Sequence, residues 1–278
     1  AQNTAVGTNS MVTNTTGANN TGLGMNALYA NTTASNNTSV GYGSMENNST
    51  GAQNTTVGTE ALKANTTASN NTAMGYRALY ANTTGGRNVA VGNYALDSQT
   101  TAGSYNVGVG YAVGDSVSTA QGVTLIGDVS GDAITTSSGC TAVGQSALST
   151  HATGTANTAI GKSALTDCAN GGNTAVGQDA GLAITTGYNN TFVGEDAGDS
   201  TTTGFGNICI GINSNTSIVN GEKQIVIGYD YAGNGDNKVN LGSSGGYVWN
   251  SFTVNNTWTQ VSDERTKKNI ESDGLGLD

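Results

Sequence analysis

The side chains that most often carry chemistry are scarce in this sequence and lie far apart. Histidine occurs once, at His151. The sequence therefore argues against a metal site built from several histidines and leaves a single candidate for a Ser–His or Cys–His catalytic pair. The three cysteines, Cys140, Cys168 and Cys209, are an odd number at unrelated spacings. This pattern favours buried free thiols, and a reactive or metal-binding role is the alternative.

Two acidic segments are the remaining candidates for a site within the body of the chain. Glu195, Asp196 and Asp199 lie in GEDAGD, and a pair of carboxylates there could serve a glycosidase. That segment supplies no aromatic residue for sugar stacking, so we interpret these residues as exposed loop acids. Residues 230–238, DYAGNGDNK, have enough oxygen ligands for calcium but lack EF-hand spacing. We therefore expect no enzyme, cofactor or metal ion in this region.

The composition argues against an ordinary globular domain. The 278 residues include 42 glycines and no proline, and aromatic residues make up 6%. So few large apolar side chains cannot fill a broad core, and the lack of proline disfavours disorder, which leaves a fold with a very thin core. The net charge of −10 argues against nucleic acid as a partner, and no apolar run suits membrane insertion. There is no signal peptide, and the chain opens inside a repeat without methionine, so we expect a piece of a longer protein.

A seventeen-residue repeat dominates the sequence, and we number its positions so that a recurrent glycine stands at position 5. The interval between these glycines is constant, except that it is one residue longer after Gly92, one shorter after Gly161 and three shorter after Gly228. The glycines are Gly7, Gly24, Gly41, Gly58, Gly75, Gly92, Gly110, Gly127, Gly144, Gly161, Gly177, Gly194, Gly211, Gly228 and Gly242. Position 4 is always apolar, position 1 is asparagine in eleven repeats of fifteen, and position 9 is Leu or Met in eight.

The repeat predicts an all-β protein, a β-solenoid (parallel β-roll) of about fifteen 17-residue coils. The stretch N-T-A-V-G alternates and is β-branched, so we expect a strand whose position-4 side chain faces inward. Glycine at position 5 would allow a tight corner, the asparagines would form amide ladders, and the NTT segments would form a second turn. At about 4.8 Å per coil the rod would be roughly 70 Å long.

The thin core also predicts self-association. One or two aliphatic side chains per coil are little against the entropy of ordering a whole repeat, so a further face should be buried against identical chains. The small residues at positions 3 and 8 would permit close approach, and we expect a homotrimer. The N-T-A-V-G-x-x-A-L repeat, over residues 3–242, resembles the head repeats of trimeric autotransporter adhesins, although the unit is longer here. That resemblance implies a trimeric β-roll.

The end of the chain, from residue 243 onward, differs from the repeats. Residues 243–261 hold Tyr247, Trp249, Phe252 and Trp258, which suits a cap or collar, whereas residues 262–278 hold eight of the chain's charged side chains. The sequence SDERTKKNI, followed by DGLGLD, resembles the start of the intramolecular chaperone domain of phage tail fibres, tailspikes and endosialidases. We therefore divide the chain into a shaft at 1–242, a transition at 243–261 and a truncated chaperone start at 262–278.

The resemblance implies a self-cleavage chemistry at the boundary between Val261 and Ser262. Ser262 matches the nucleophile, and Lys267, five positions later, matches the lysine that serves as its base, a role open to a lysine with a depressed pKa. Asp263 and Arg265 also match the motif. Only the segment 262–278 of the domain is present, which is too short to form it, and a solvated charged tail is the alternative interpretation.

The sequence thus predicts a structural fibre segment of a phage tail fibre or similar viral appendage, located in the virion and extracellular. Its expected partners are its own copies, other fibre or tail proteins, and a host surface glycan or protein. A bacterial surface adhesin or filament subunit is the alternative, which would fit if the 14 Asn-x-Ser/Thr sequons were glycosylated. A third class is an ice-binding solenoid with a threonine face, suggested by adjacent pairs such as Thr32–Thr33.

Overall fold

The structure is a computed structural model that describes residues 2–100, 103–150, 153–253 and 259–261. None of these residues forms a helix, so this part of the chain contains no membrane-spanning helix. The strands are β1 (Thr4–Val6), β2 (Thr21–Leu23), β3 (Thr38–Val40), β4 (Thr55–Val57), β5 (Thr72–Met74), β6 (Val89–Val91), β7 (Val107–Val109), β8 (Thr124–Ile126), β9 (Thr141–Val143), β10 (Thr158–Ile160), β11 (Thr174–Val176), β12 (Thr191–Val193), β13 (Ile208–Ile210), β14 (Ser214–Asn215), β15 (Ile225–Tyr229), β16 (Tyr231–Ala232), β17 (Lys238–Ser243), β18 (Gly246–Ser251) and β19 (Thr259–Val261).

The short strands stack in parallel, one per repeat, and confirm the β-solenoid. Each of β1 to β12 pairs in parallel with the next strand in the same register, as Thr4 does with Thr21, and the stack continues from β13 to β15 and from β15 to β17. The fifteen parallel strands enclose fourteen turns of about 17 residues. The strand residues hydrogen-bond to the coils above and below, so the backbone polar groups of the stack are satisfied without a helix.

The stack ends in an antiparallel hairpin. β17 is the last parallel strand, and β18 turns back along it, pairing Leu241 with Val248. β19 adds a third strand antiparallel to β18, pairing Val261 with Tyr247. The chain thus changes from a coil to a meander across the segment predicted as the transition.

The inward-facing side chains are not those that the sequence predicted. Ala73, at position 3, and Leu79, at position 9, are fully buried, whereas Met74, at position 4, is 42% exposed. The expectation that position 4 faces inward is therefore wrong, and so is the expectation that the small residues of positions 3 and 8 lie between chains. Successive strand residues point to opposite faces of the sheet, so position 3 and position 4 cannot both face inward. The interior of the coil is narrow and encloses the side chain of position 3, whereas the larger side chains of positions 2 and 4 lie outside.

Each coil holds about one large apolar side chain, and its place is exchanged between positions 3 and 9. Eight of the fifteen coils bury a leucine or methionine at position 9 opposite a small residue at position 3. Where position 9 is Gly131, position 3 of the same coil is the buried Leu125, whose methyl groups occupy the space that a Cβ would take on Gly131 or on Gly114 of the preceding coil. Phe192 lies in the same way between Gly181 and Gly198. A large side chain at position 3 therefore fills the interior of its own coil and part of that of the preceding coil, so close packing is maintained between neighbours.

The recurrent glycines are required by contact between coils as well as by conformation. Gly75 has φ +134°, and a Cβ there would lie 2.3 Å from the carbonyl oxygen of Gly92 in the next coil. Fourteen of the fifteen glycines have positive φ, the exception being Gly228. The corner predicted after each strand is confirmed.

The predicted asparagine ladder is also confirmed. The backbone N–H of Asn71 donates to Oδ1 of Asn54 at 2.9 Å, and Oδ1 of Asn71 accepts from the backbone N–H of Asn88 at 2.9 Å. Its side-chain amide donates to the carbonyl of Gly85 at 3.1 Å. Each buried asparagine therefore satisfies backbone groups at a corner where the sheet hydrogen bonds stop.

A second amide ladder fills position 12 in the first third of the stack. Asn48 donates to Asn31 at 3.0 Å and Asn65 donates to Asn48 at 2.7 Å. From the seventh coil onward buried apolar residues, such as Val117 and Ile134, occupy this position in most of the described coils. The polar interior of the first coils thus gives way to a more apolar one.

We predict that Gly75→Ala destabilises the protein by about 2–4 kcal/mol, because the new Cβ meets a carbonyl and alanine disfavours this φ. Denaturant unfolding would measure the loss. Gly246→Ala is the control, since a Cβ at that glycine meets nothing within 4 Å. Equal stability of the two variants would contradict the explanation.

We predict that Asn71→Ala costs about 2–4 kcal/mol, because it leaves the amide of Asn88 and the carbonyl of Gly85 without partners in a buried place. Asn47→Ala, at an exposed position, should change stability by less than about 0.5 kcal/mol. Thermal unfolding of both variants compares them, and similar midpoints would refute the role given to the ladder.

Candidate functional site

The outer face of the parallel sheet, which we call the strand face, carries a continuous row of apolar side chains beside a row that is mostly threonine. It is formed by positions 2 and 4, which project outward together because they are two residues apart. Position 4 is aliphatic throughout, and Val57, Ile160 and Ile227 are 38%, 40% and 39% exposed. Position 2 is Thr, Val or Ile, so none of the fifteen strands places a charged residue on this face. Exposed apolar patches of this extent mark interaction surfaces.

The sequence contains a pattern that distinguishes the inner positions of the coil from the outer ones. A strand with valine at position 4 and alanine at position 3 can turn either of these two side chains toward the interior of the coil. The exchange of large residues between positions 3 and 9 shows that these two positions share the interior. Position 4 shows no such exchange, which fits a surface outside the coil.

Charged side chains gather at the corner made by positions 7 and 10, which we call the charged corner. Nζ of Lys63 lies 2.7 Å from Glu60 and 3.4 Å from Glu46. Nη2 of Arg77 lies 3.3 Å from Oδ2 of Asp97 in the next coil. The guanidinium also lies over two rings, 4.1 Å from the centroid of Tyr80 and 5.8 Å from that of Tyr94. Tyr76, Tyr94 and Tyr111 continue this aromatic contact edge to face on consecutive coils.

Three half-buried carboxylates follow one another at position 10 of the charged corner. Burial raises the pKa of Asp97 to about 6, although Arg77 lowers it, and Asp115 and Glu60 raise it further. Burial likewise raises the pKa values of Asp115 and Asp132. The stack sets like charges one coil apart, so the second and third carboxylates have no cation as close as Arg77 is to the first.

The cysteines are buried thiols, as predicted. Cys140, Cys168 and Cys209 occupy interior positions, and burial raises the pKa of Cys168 to about 11 and that of Cys209 to about 12. Thiolates are therefore scarce at neutral pH, which opposes a reactive role. Among the described residues, no group of three or more His, Cys, Asp or Glu side chains could hold a metal ion. His151 lies outside the described residues.

The acidic segments form no convergent site within the described ranges. Glu195 is exposed and Asp196 and Asp199 are half-buried at the surface, at positions 6, 7 and 10. In the calcium-like segment, Asp236 accepts hydrogen bonds from the amides of Glu222 and Gln224, so it is engaged in holding the last coils.

The structure also bears on the sequons and the threonine pairs. Asn31, Asn65 and Asn82 are fully buried with their amides bonded, so these sequons cannot carry glycans in the folded chain. The first threonine of a pair donates to a carbonyl one coil away, as Thr32 does to Ser49 at 3.1 Å. This is the turn role that the sequence favoured over a binding face.

The residues predicted for self-cleavage, Ser262, Asp263, Arg265 and Lys267, lie outside the described residues. The last described strand, β19, ends at Val261, directly before Ser262. The predicted cut would therefore follow a strand that is paired to β18.

Searches of protein-family models, of curated proteins and of solved structures found no match to this chain.

We predict that Asp97→Asn stabilises the protein near pH 7. Burial raises the pKa of this carboxyl in the folded state from its ordinary value of 3.8 to about 6, so the contribution of Asp97 to stability falls as pH rises from about 4 to about 6 and is constant above that. Removing the charge should restore about 1–2 kcal/mol at pH 7 after allowance for solvent screening, and nothing near pH 4.

Denaturant unfolding at pH 4, 5, 6 and 7 measures this difference. Asp128→Asn, which removes the same charge from an exposed position, is the control. A gain that is independent of pH, or equal in the control, would rule out burial of Asp97 as its cause.

Proposed function

We propose that this chain is a structural fibre segment, a rigid shaft of a phage tail fibre or similar viral appendage, extracellular and assembled from three copies. It is not an enzyme in this proposal. Its partners are its own copies, other fibre or tail proteins, and a host surface to which the appendage attaches.

The strand face is the single observation that carries the proposal. One apolar side chain per coil lies on this face, along fourteen turns and without an intervening charge; eight of the fifteen are 37–54% exposed and the other seven are partly exposed. A threefold axis along the rod would bring three such faces together. Identical copies of the chain fit this face along its whole length, because their coils have the same spacing. Equivalent side chains of the three copies therefore meet at each coil.

The energy of such an interface accumulates along the rod. Burying the exposed remainder of one aliphatic side chain contributes about 1 kcal/mol, which is small for one coil. Over fourteen turns the sum is on the order of 10 kcal/mol per chain, enough to hold a trimer whose individual coils would not associate. A trimer of rods is also stiffer than a single rod.

The end of the stack supports the same assignment. The antiparallel β18 and β19 interrupt the parallel coils and bring Tyr247 onto Tyr231, with centroids 4.7 Å apart. In this proposal the segment closes the shaft, and a complete chaperone domain that begins at Ser262 would be removed by cleavage before that residue, with Ser262 as nucleophile and Lys267 as base.

The native molar mass tests the proposal. Light scattering should give about three times 27.7 kDa. A folded monomer of 27.7 kDa would overturn the fibre, and thermal hysteresis in that monomer would instead point to an ice-binding face.

We predict that Ile160→Glu dissociates or markedly weakens the trimer, because it places three carboxylates together at one level of the apolar interface. Leu182→Glu is the matched control, since Leu182 is similarly exposed, at 38%, but lies at position 10. Sedimentation of both variants measures the effect. Loss of the trimer in the control, or its retention in Ile160→Glu, would exclude the strand face as the interface.

A further inference from the structure

A polar groove interrupts the surface of the rod around the corner from the strand face. It has a volume of about 330 Å³ and is formed by positions 14 to 17 of three consecutive coils. Its lining residues include Thr67, Ser69, Asn70, Arg87 and Tyr105. The groove lies where the repeat interval lengthens by one residue, in the coil that follows Gly92.

Two side chains distinguish this groove from the same surface of the earlier coils. Position 17 is an exposed amide in the first four coils, and it becomes Arg87 and then Tyr105. Nη1 of Arg87 donates to the hydroxyl of Tyr105 at 2.7 Å, and the guanidinium lies 5.3 Å from the centre of that ring. The arginine is thereby held in one orientation at the groove while its other N–H groups stay exposed.

The rest of the lining supplies hydrogen-bonding groups at fixed places. The hydroxyl of Ser69 accepts the backbone N–H of Ala52 at 3.0 Å, and that of Ser104 accepts the N–H of Gly86 at 3.1 Å. Each hydroxyl is thus positioned by the backbone and keeps its own hydrogen for a ligand. Gly86, between them in the same column, has no side chain, which deepens the floor.

The charge at the groove is uncompensated. No carboxylate in the described part of the chain forms an ion pair with Arg87, whereas Lys63 and Arg77 are both paired. On a chain of net charge −10, an oriented and unpaired guanidinium selects an acidic group, with which arginine forms paired hydrogen bonds.

The lining favours a sugar chain over a peptide as the carrier of that acidic group. Most peptide-recognition modes use an open sheet edge, an apolar groove or a cluster of arginines, whereas this groove has stacked coils on both sides, a polar lining and one arginine. Hydroxyls, an amide and one aromatic ring suit the hydroxyl groups and the apolar patches of a glycan.

We propose that the groove between Thr67 and Tyr105 binds an acidic glycan, with Arg87 contacting its anionic group and Tyr105 positioning that arginine. The inference deepens the attachment role and rests on it for biological meaning. Glycan binding tests the groove and the native molar mass tests the trimeric fibre, so a failure of either proposal can be told from a failure of the other.

Calorimetric titration of the protein with oligogalacturonate, with dextran sulfate and with neutral dextran tests the proposal. We expect at least one acidic polysaccharide to bind and dextran not to bind, and the acid that binds identifies the group recognised. Arg87→Asn should weaken that binding about tenfold or more, because a charge-assisted hydrogen bond is lost. Asparagine is the residue that the chain itself places at this position at Asn70, so the variant should fold.

Lys162→Asn is the matched control, since it removes the same charge from an exposed position elsewhere on the rod and should bind as the unaltered protein does. Three results would overturn the proposal: no binding of either acidic polysaccharide, equal weakening by both substitutions, or equally tight binding of poly-glutamate, which would indicate attraction to charge alone.

Discussion

The structure depends on one constraint, the fixed separation of successive coils by backbone hydrogen bonds between parallel strands. At that separation, about 4.8 Å, the corner after each strand brings one coil against the carbonyl of the next. Only glycine fits there, as Gly75 shows against Gly92. The same separation places the amide of each buried asparagine within reach of the next, so the corner that glycine opens is closed by hydrogen bonds.

A second consequence of this spacing is the small interior. A single repeat surrounds each level, and it leaves room for about one large side chain. Leu79 fills it in one coil and Leu125 in another, with glycine or alanine opposite. The remaining aliphatic residues must lie outside, where they form the strand face. The exposed apolar row of the strand face is thus a result of how little the interior can hold.

Stacking also places each residue beside its equivalent in the next coil, so like charges at one position repel each other along the stack. The row of Asp97, Asp115 and Asp132 shows the effect, because burial raises the pKa of each carboxyl and like neighbours raise those of Asp97 and Asp132 further. Opposite charges pair both within a coil and between coils around Lys63, which contacts Glu60 of its own coil and Glu46 of the preceding coil. Neutral amides and hydroxyls avoid this penalty, and the first 45 residues contain no charge at all.

The sequence alone determined the coil, its period, the glycine corner and the asparagine ladder. These follow from residue type and spacing along the chain. The orientation of position 4 did not follow, because a strand of alternating residues such as Thr72, Ala73 and Met74 has two possible inner faces, and only the cross-section of the closed coil selects one. The groove at Arg87 and Tyr105 was also hidden, because 18 residues separate them in sequence and one coil spacing separates them in the fold.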